Sequence, residues 1–204
     1  MDHLSSYQPY QVYYGDIHNH CNISYGHGSI EDAYTNARLQ LDFASVTGHA
    51  WWPDMPKAEG RFKRLVEYHQ HGFSKLDSMW NHVQEVTEEF HEEGKFVSFL
   101  SFEWHSSAHG DYCFYYKGAK GEIIRKANIE DMRVELRRLK EKGISMMMIP
   151  HHICYLAGYR GINWDDFDPE FSPVVEIVSM HGCSEHDDAP KPYLHTMGPR
   201  DGRS

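Results

Sequence analysis

Gly15-Asp16-Ile17-His18-Asn19-His20 sets two histidines in alternation directly after an extended segment. Tyr10 to Ile17 reads as a short strand, and residues two apart on an extended chain project from one face, so His18 and His20 present both imidazoles to one point. That suits Zn, Fe or Mn, for which imidazole is a common ligand. Taken alone, the pair is equally compatible with two histidines that hydrogen-bond at the mouth of a strand, because the spacing is frequent by chance. The rest of the chain decides between the two.

Working outward, Ser29 is placed to cap a helix of about a dozen residues, with Asp32 at the third position and an apolar stripe of Ile30, Ala33, Ala37 and Leu41. Leu41 to Thr47 then reads as a buried strand that stops at Gly48-His49. Ala50 to Ser74 is loop-rich, with a charged, partly helical piece around Arg61 to His71. Leu76, Met79, Trp80, Val83, Val86 and Phe90 keep helical spacing up to Gly94. Phe96 to Phe102 suits a strand buried on both faces, followed by Glu103-Trp104-His105. A hairpin-like return through Tyr112 to Tyr116 carries His109 and Asp111 at its start. Asn128 caps another helix, Ile144 to Ile149 is a strand ending at Pro150-His151-His152, and Val174 to Val178 leads to Met180-His181. Alternating strands and helices predict a parallel α/β architecture. In such folds functional groups gather at the carboxyl ends of strands, which here read His18/His20, His49, Glu103, His151 and His181, the makings of a metal centre.

Composition narrows the function. The 204 residues suit one domain spanning 1–204, 40% of them apolar and 14% aromatic. No apolar run is long enough for a bilayer, and Met1 to Ser6 is neither basic nor apolar, so a cytoplasmic protein with no membrane partner is expected. A formal charge of −10 and the lack of a Lys/Arg stripe argue against a broad nucleic-acid surface, whereas bound divalent cations would offset part of that charge. Cys21, Cys113, Cys154 and Cys183 include no Cys-x-x-Cys pair and are expected as reduced packing residues. The 16 histidines, against 20 Lys+Arg, are the anomaly.

Taken in order, Asp16-Ile17-His18-Asn19-His20, Asp42-Phe43-Ala44-Ser45-Val46-Thr47-Gly48-His49, Phe102-Glu103-Trp104, His109 and Ile149-Pro150-His151 resemble the motifs of the polymerase and histidinol phosphatase (PHP) superfamily of metal-dependent phosphoesterases. The resemblance covers nearly the whole chain and is nearest to an uncharacterised bacterial branch. It implies a distorted (β/α)7 barrel of the PHP type with two to three divalent ions (Zn, Mn or Fe) at its carboxyl rim. By the same resemblance His18, His20 and Glu103 hold the first ion, and Glu103 bridges to a second completed by His109 and His151. His49 belongs to the third, with His27 as its helper. Three departures stand out. Thr47-Gly48-His49 replaces a Thr-Asp-His, and Tyr25-Gly26-His27-Gly28 stands where relatives have an Asp-Gly pair. The closing Asp-x-His motif is not found after His151, since His186-Asp187-Asp188 has the wrong order. The expectation is therefore a barrel lacking its C-terminal units, whose exposed edges favour a homo-oligomer.

The expected activity is hydrolysis of a small phosphorylated substrate by a metal-bridged hydroxide. Glu103 is placed at its centre, with His105 and His181 as candidate proton donors. His152 and Arg160 are candidates for holding the phosphate, Arg because its planar fork donates two parallel hydrogen bonds. Two other readings are open: an amidohydrolase-like hydrolase of C–N or C–O bonds, and a metal-binding remnant without catalysis. His69, His71, His82 and His91, in charge-rich helical segments, are expected to face solvent, and His3 and His195 lie near the chain ends.

Overall fold

The computed structural model describes residues 10–186 and 188–193, so His3, Asp187 and His195 lie outside the described residues. Along the chain run β1 (Gly15–Asn19), α1 (Ile30–Ala37), β2 (Phe43–Val46), β3 (Gly48–Trp51), α2 (Lys63–Phe90), β4 (Val97–Phe99), β5 (Ser101–Trp104), β6 (Asp111–Tyr116), α3 (Ile129–Glu141), β7 (Met146–His151), β8 (Val178–Ser179) and β9 (Gly182–Cys183).

These strands form a parallel three-stranded sheet in the order β1-β2-β4, a mixed four-stranded sheet in the order β3-β5-β6-β7, and a β8-β9 ribbon. The expected (β/α)7 barrel is therefore wrong: the described strands do not close into one. The wholly parallel arrangement fails first at β6, which is antiparallel to both β5 and β7. The cause is local, because the link from Trp104 to Asp111 is shorter than the dozen or more residues that a parallel crossover needs. Between β7 and β8 the only helical piece among the described residues is a 3-10 turn at Trp164–Asp166, so this link is not a strand-helix-strand unit. The strand expected over Val174 to Val178 shrinks to β8.

Helix α1 starts as its sequence predicts, with the Ser29 hydroxyl accepting from the Asp32 N–H at 3.0 Å. Helix α2 does not. In place of a loop and two pieces, one helix of 28 residues runs from Lys63 to Phe90 through Gly72. Val66, His69, Phe73, Leu76, Trp80 and Val83 are buried at alternating spacings of three and four along it, so tertiary burial carries the helix over a glycine that by itself disfavours it by about 1 kcal/mol. The glycine is also needed, since a Cβ at Gly72 would lie 2.1 Å from the Tyr25 ring.

Strand β6 is buried on both faces. Tyr112, Phe114 and Tyr116 point into the main core with Leu76, Phe102, Trp104 and Met132, while Cys113 and Tyr115 pack with Ile149, Ile17, Phe99 and Met147. The Tyr115 hydroxyl donates to the Ile17 carbonyl at 3.1 Å, tying β6 to β1 across the two sheets. Among the described residues no helix is long and apolar enough to cross a membrane.

Candidate metal centre

Strand pairing brings the site together. Glu103 lies opposite Cys113 on β6 and beside His49 on β3, and Asp111 lies opposite His151 on β7. Directly paired residues share a face of the sheet, so these groups converge, and β1 adds His18 and His20 from the neighbouring sheet.

Glu103 is the hub, with only 1% of its surface exposed. His151 Nε2 donates to its Oε1 at 2.7 Å. Around Oε2 lie His49 Nδ1 at 2.8 Å, His20 Nε2 at 3.6 Å and His18 Nε2 at 3.8 Å. His49 Nδ1 makes its hydrogen bond instead with His105 Nε2, at 3.0 Å. A second carboxylate, Glu176, accepts from His18 Nδ1 at 2.5 Å and sets its Oε1 3.7 Å from His151 Nδ1. These groups line one cavity of about 700 Å³, together with Tyr25, His69, His152, Arg160 and His181.

The donors fit a divalent cation. Glu103 Oε2, His18 Nε2, His20 Nδ1, His151 Nδ1 and Glu176 Oε1 are buried without a hydrogen-bond partner, and an unsatisfied buried polar group typically costs about 1–3 kcal/mol. Ligand atoms of His20, His49 and Glu103 lie within 4.8 Å of one another, and so do those of His18, Glu103, Cys113 and His151. Imidazoles and carboxylates at such separations are a donor set for Zn, Fe or Mn.

The charge states agree with this. Burial, with the neighbouring His49, pushes His20 down to about 3, and burial beside His152 pushes His151 to about 3. His49 is lowered as well, again by burial first. These rings are neutral at pH 7, the form that binds metal. Burial acts against the Glu103 carboxylate, but His49, His105 and His151 outweigh it and keep its pKa well below the usual range. His18 is the exception: burial opposes its charge, yet Cys113, Glu103 and Glu176 together raise its pKa well above 6.5.

Behind the hub sits another carboxylate, Asp111, which is fully buried. Its Oδ2 meets the Arg160 guanidinium, His105 Nδ1 at 2.8 Å and His152 Nε2 at 3.3 Å, and its Oδ1 accepts from the Ser106 N–H at 3.1 Å. Burial again acts against the charge, and Arg160 and His105 overcome it, holding the pKa well below the carboxylate range. His152 (φ 37°) and Arg160 (φ 69°) are the two non-glycine residues with left-handed backbone among the described residues, and both reach Asp111. Such strain costs about 1–3 kcal/mol per residue and persists only where the surroundings over-determine it. Arg160 also lies over the Trp52 ring, 4.8 Å from its centroid.

Of the residues singled out in the sequence, His18, His20, His49, Glu103 and His151 meet at one point, and His152, Arg160 and His181 line the same cavity. His105 stands behind the wall between His49 and Asp111. His109 is not brought in: its Nδ1 donates to Asp166 at 2.7 Å, away from the cavity lining. His27 is exposed and outside it. His69, expected in solvent, is buried, donates to the Leu65 carbonyl at 2.8 Å and lines the cavity; His71, His82 and His91 are exposed as expected. The unforeseen members are Glu176, Cys113 and His69. Glu176 had a signal, a lone charge inside Val174-Val175-Glu176-Ile177-Val178. So did His69, whose spacing to Val66 and Phe73 puts it on the apolar face of α2.

No family model matches the chain. Over 107 residues it is 23% identical to an uncharacterised protein of Chlamydia pneumoniae, a match covering 52% of the chain and 17% of that protein's length. Neither result bears on the phosphoesterase resemblance, and the similarity carries no activity with it.

Proposed function

We propose that the chain is a metal-dependent hydrolase that cleaves a small phosphate ester, with two to three divalent ions (Zn, Mn or Fe) held around Glu103. The carrying observation is that a buried carboxylate is ringed by His18, His20, His49 and His151, with ligand atoms on Glu103, His18, His20 and His151 left without hydrogen bonds. The ordered motifs support kinship with the PHP phosphoesterases at the level of this site, without the barrel. Bound divalent ions would supply a water acidified toward neutrality and a polarised phosphoryl oxygen.

The chain's own residues do the rest. Arg160, pinned by Asp111 and set over Trp52, gives the cavity a cationic wall suited to a phosphate. His152 and His181 stand beside it, their ring centroids 4.9 Å apart. Burial, with His151 and Arg160 nearby, brings His181 down to about 4, so at pH 7 it is neutral and serves as a hydrogen-bond partner of the leaving oxygen. Tyr155 pairs with its Nδ1 at 3.3 Å and sets the ring's orientation.

The test is metal content per chain on protein purified without chelator, beside Glu103→Ala, followed by hydrolysis of p-nitrophenyl phosphate and its diester. Two or more ions in the parent, lost in the variant, with metal-dependent phosphate release, support the proposal. Bound metal without release would leave a non-catalytic metal-binding protein, and loss of both would end the reading.

A further inference from the structure

Cys113 is a packing residue by its composition and a site residue by its position. On β6 its side chain shares the face of Asp111 and sits directly across from Glu103 on β5. The two-residue repeat of the strand therefore sets the thiol one step deeper than Asp111, between the polar hub and the small apolar cluster of Tyr115 and Ile149. Only 1% of Cys113 is exposed. Its Sγ and one ligand atom each from His18, Glu103 and His151 lie within 4.8 Å of one another. Glu103 Oε2 and His151 Nδ1, on side chains 1% and 3% exposed, lack hydrogen-bond partners. A tetrahedral zinc with bonds of about 2.0–2.3 Å keeps its ligand atoms roughly 3.3–3.8 Å apart, so a small contraction of this quartet encloses the ion.

We propose that Cys113 is a metal ligand, completing with His18, Glu103 and His151 a four-coordinate site for a thiophilic divalent ion, zinc above all. The inference rests on the proposed metal centre and deepens it. On binding, the S–H bond breaks, its proton leaves to solvent and the thiolate sulfur bonds the ion. Thiolate favours Zn and Fe over Mn and Mg, which prefer oxygen donors, so one sulfur decides which metal this position keeps. A neighbouring set, His20 and His49 with Glu103, has no sulfur and selects less sharply. Manganese is expected to exchange there and not at the Cys113 position.

The experiment uses the full chain. Chelator-treated protein is reloaded with zinc for X-ray absorption at the zinc edge, and separately with cobalt(II) for its near-ultraviolet thiolate-to-metal charge-transfer band. The parent is expected to show a sulfur scatterer at about 2.3 Å and the cobalt band, and Cys113→Ser to lose both while keeping nitrogen and oxygen scatterers. Cys113→Val, which fills the same apolar niche, is expected to behave like the serine variant, separating loss of a ligand from loss of packing. Metal bound by nitrogen and oxygen alone in the parent would overturn the role of Cys113 and leave the centre standing. A sulfur signal that persists in Cys113→Ser would assign it to another cysteine and overturn the proposal equally. Absence of bound metal in the parent would overturn both.

Discussion

Two buried carboxylates lie on adjacent strands of one sheet, and they are satisfied in opposite ways. Asp111 is saturated by the Arg160 guanidinium, two imidazoles and the Ser106 N–H. Glu103 is surrounded almost entirely by histidines, of which His20, His49 and His151 have lowered pKa values, and one of its oxygens has no hydrogen bond. A permanent guanidinium makes a carboxylate part of the framework. Around Glu103 the neutral imidazoles offer no charge, and His18, whose pKa is raised, hydrogen-bonds Glu176 rather than Glu103, so this carboxylate is less well neutralised than Asp111.

The difference can be broken most severely at Asp111. Replacing it by Ala removes the buried carboxylate that the Arg160 guanidinium, His105 and His152 all meet and that anchors the left-handed backbone at His152 and Arg160, so Asp111→Ala is expected to destabilise the metal-free protein by about 3–5 kcal/mol in a urea titration. A loss under about 1 kcal/mol would mean that the pair is not structural. Glu103→Gln should do the reverse: metal-free stability nearly unchanged, but zinc affinity reduced by at least about 100-fold in a competition titration, beyond the range of about 10–100-fold typical of groups that only support a ligand.

Acid sharpens the contrast with a smaller effect. His20 and His151 are brought to about 3, and His152, His181 and His69 to about 4, in each case by burial first. From the unfolded value near 6.5 down to those values the unfolded chain binds more protons than the folded one, so metal-free stability falls as pH drops through that window. His18, raised by its neighbours, works in the other direction: its contribution is full below about 6.5 and fades as pH rises through its folded value. With His49 lowered as well and His18 contributing no slope below about 6.5, these groups predict a melting temperature that decreases from pH 6.5 to pH 4 in chelator, and a rise over that interval would contradict the buried, neutral histidines. The smallest change belongs to His27. Being exposed and outside the cavity, His27→Ala should leave metal content intact and shift stability by no more than about 0.5 kcal/mol.

How much of this was legible depended on how local the cause was. Ser29 announces α1 through a hydrogen bond three residues away, and His18, His20, Glu103 and His151 announce themselves by standing at or beside strand ends, whereas His49, read as lying past the end of a strand, falls inside β3 because a new strand starts at Gly48. His69 lies in a charge-rich segment, yet its spacing to Val66 and Phe73 puts it on the buried face of α2. Helix α2 hides Gly72 because what holds it is burial against the rest of the molecule, Tyr25 among the neighbours, and short-range preference does not contain that. His109 had the right residue type near the right strand. It points at Asp166, 57 positions onward, and that pairing has no local trace.

The chemistry of the candidate donors belongs to the chain alone: it is acidic and histidine-rich, and two-residue alternation pairs His18 with His20 while β7 ends on His151. Tertiary structure alone decided the architecture and the membership of the site. A short loop forced β6 to return antiparallel, and the resulting cross-strand register, a long-range fact, set Cys113 across from Glu103 and Asp111 across from His151. Glu176 reached His18 from 158 residues away. Donor type is written residue by residue, whereas the distances between donors are written only in how the strands pair.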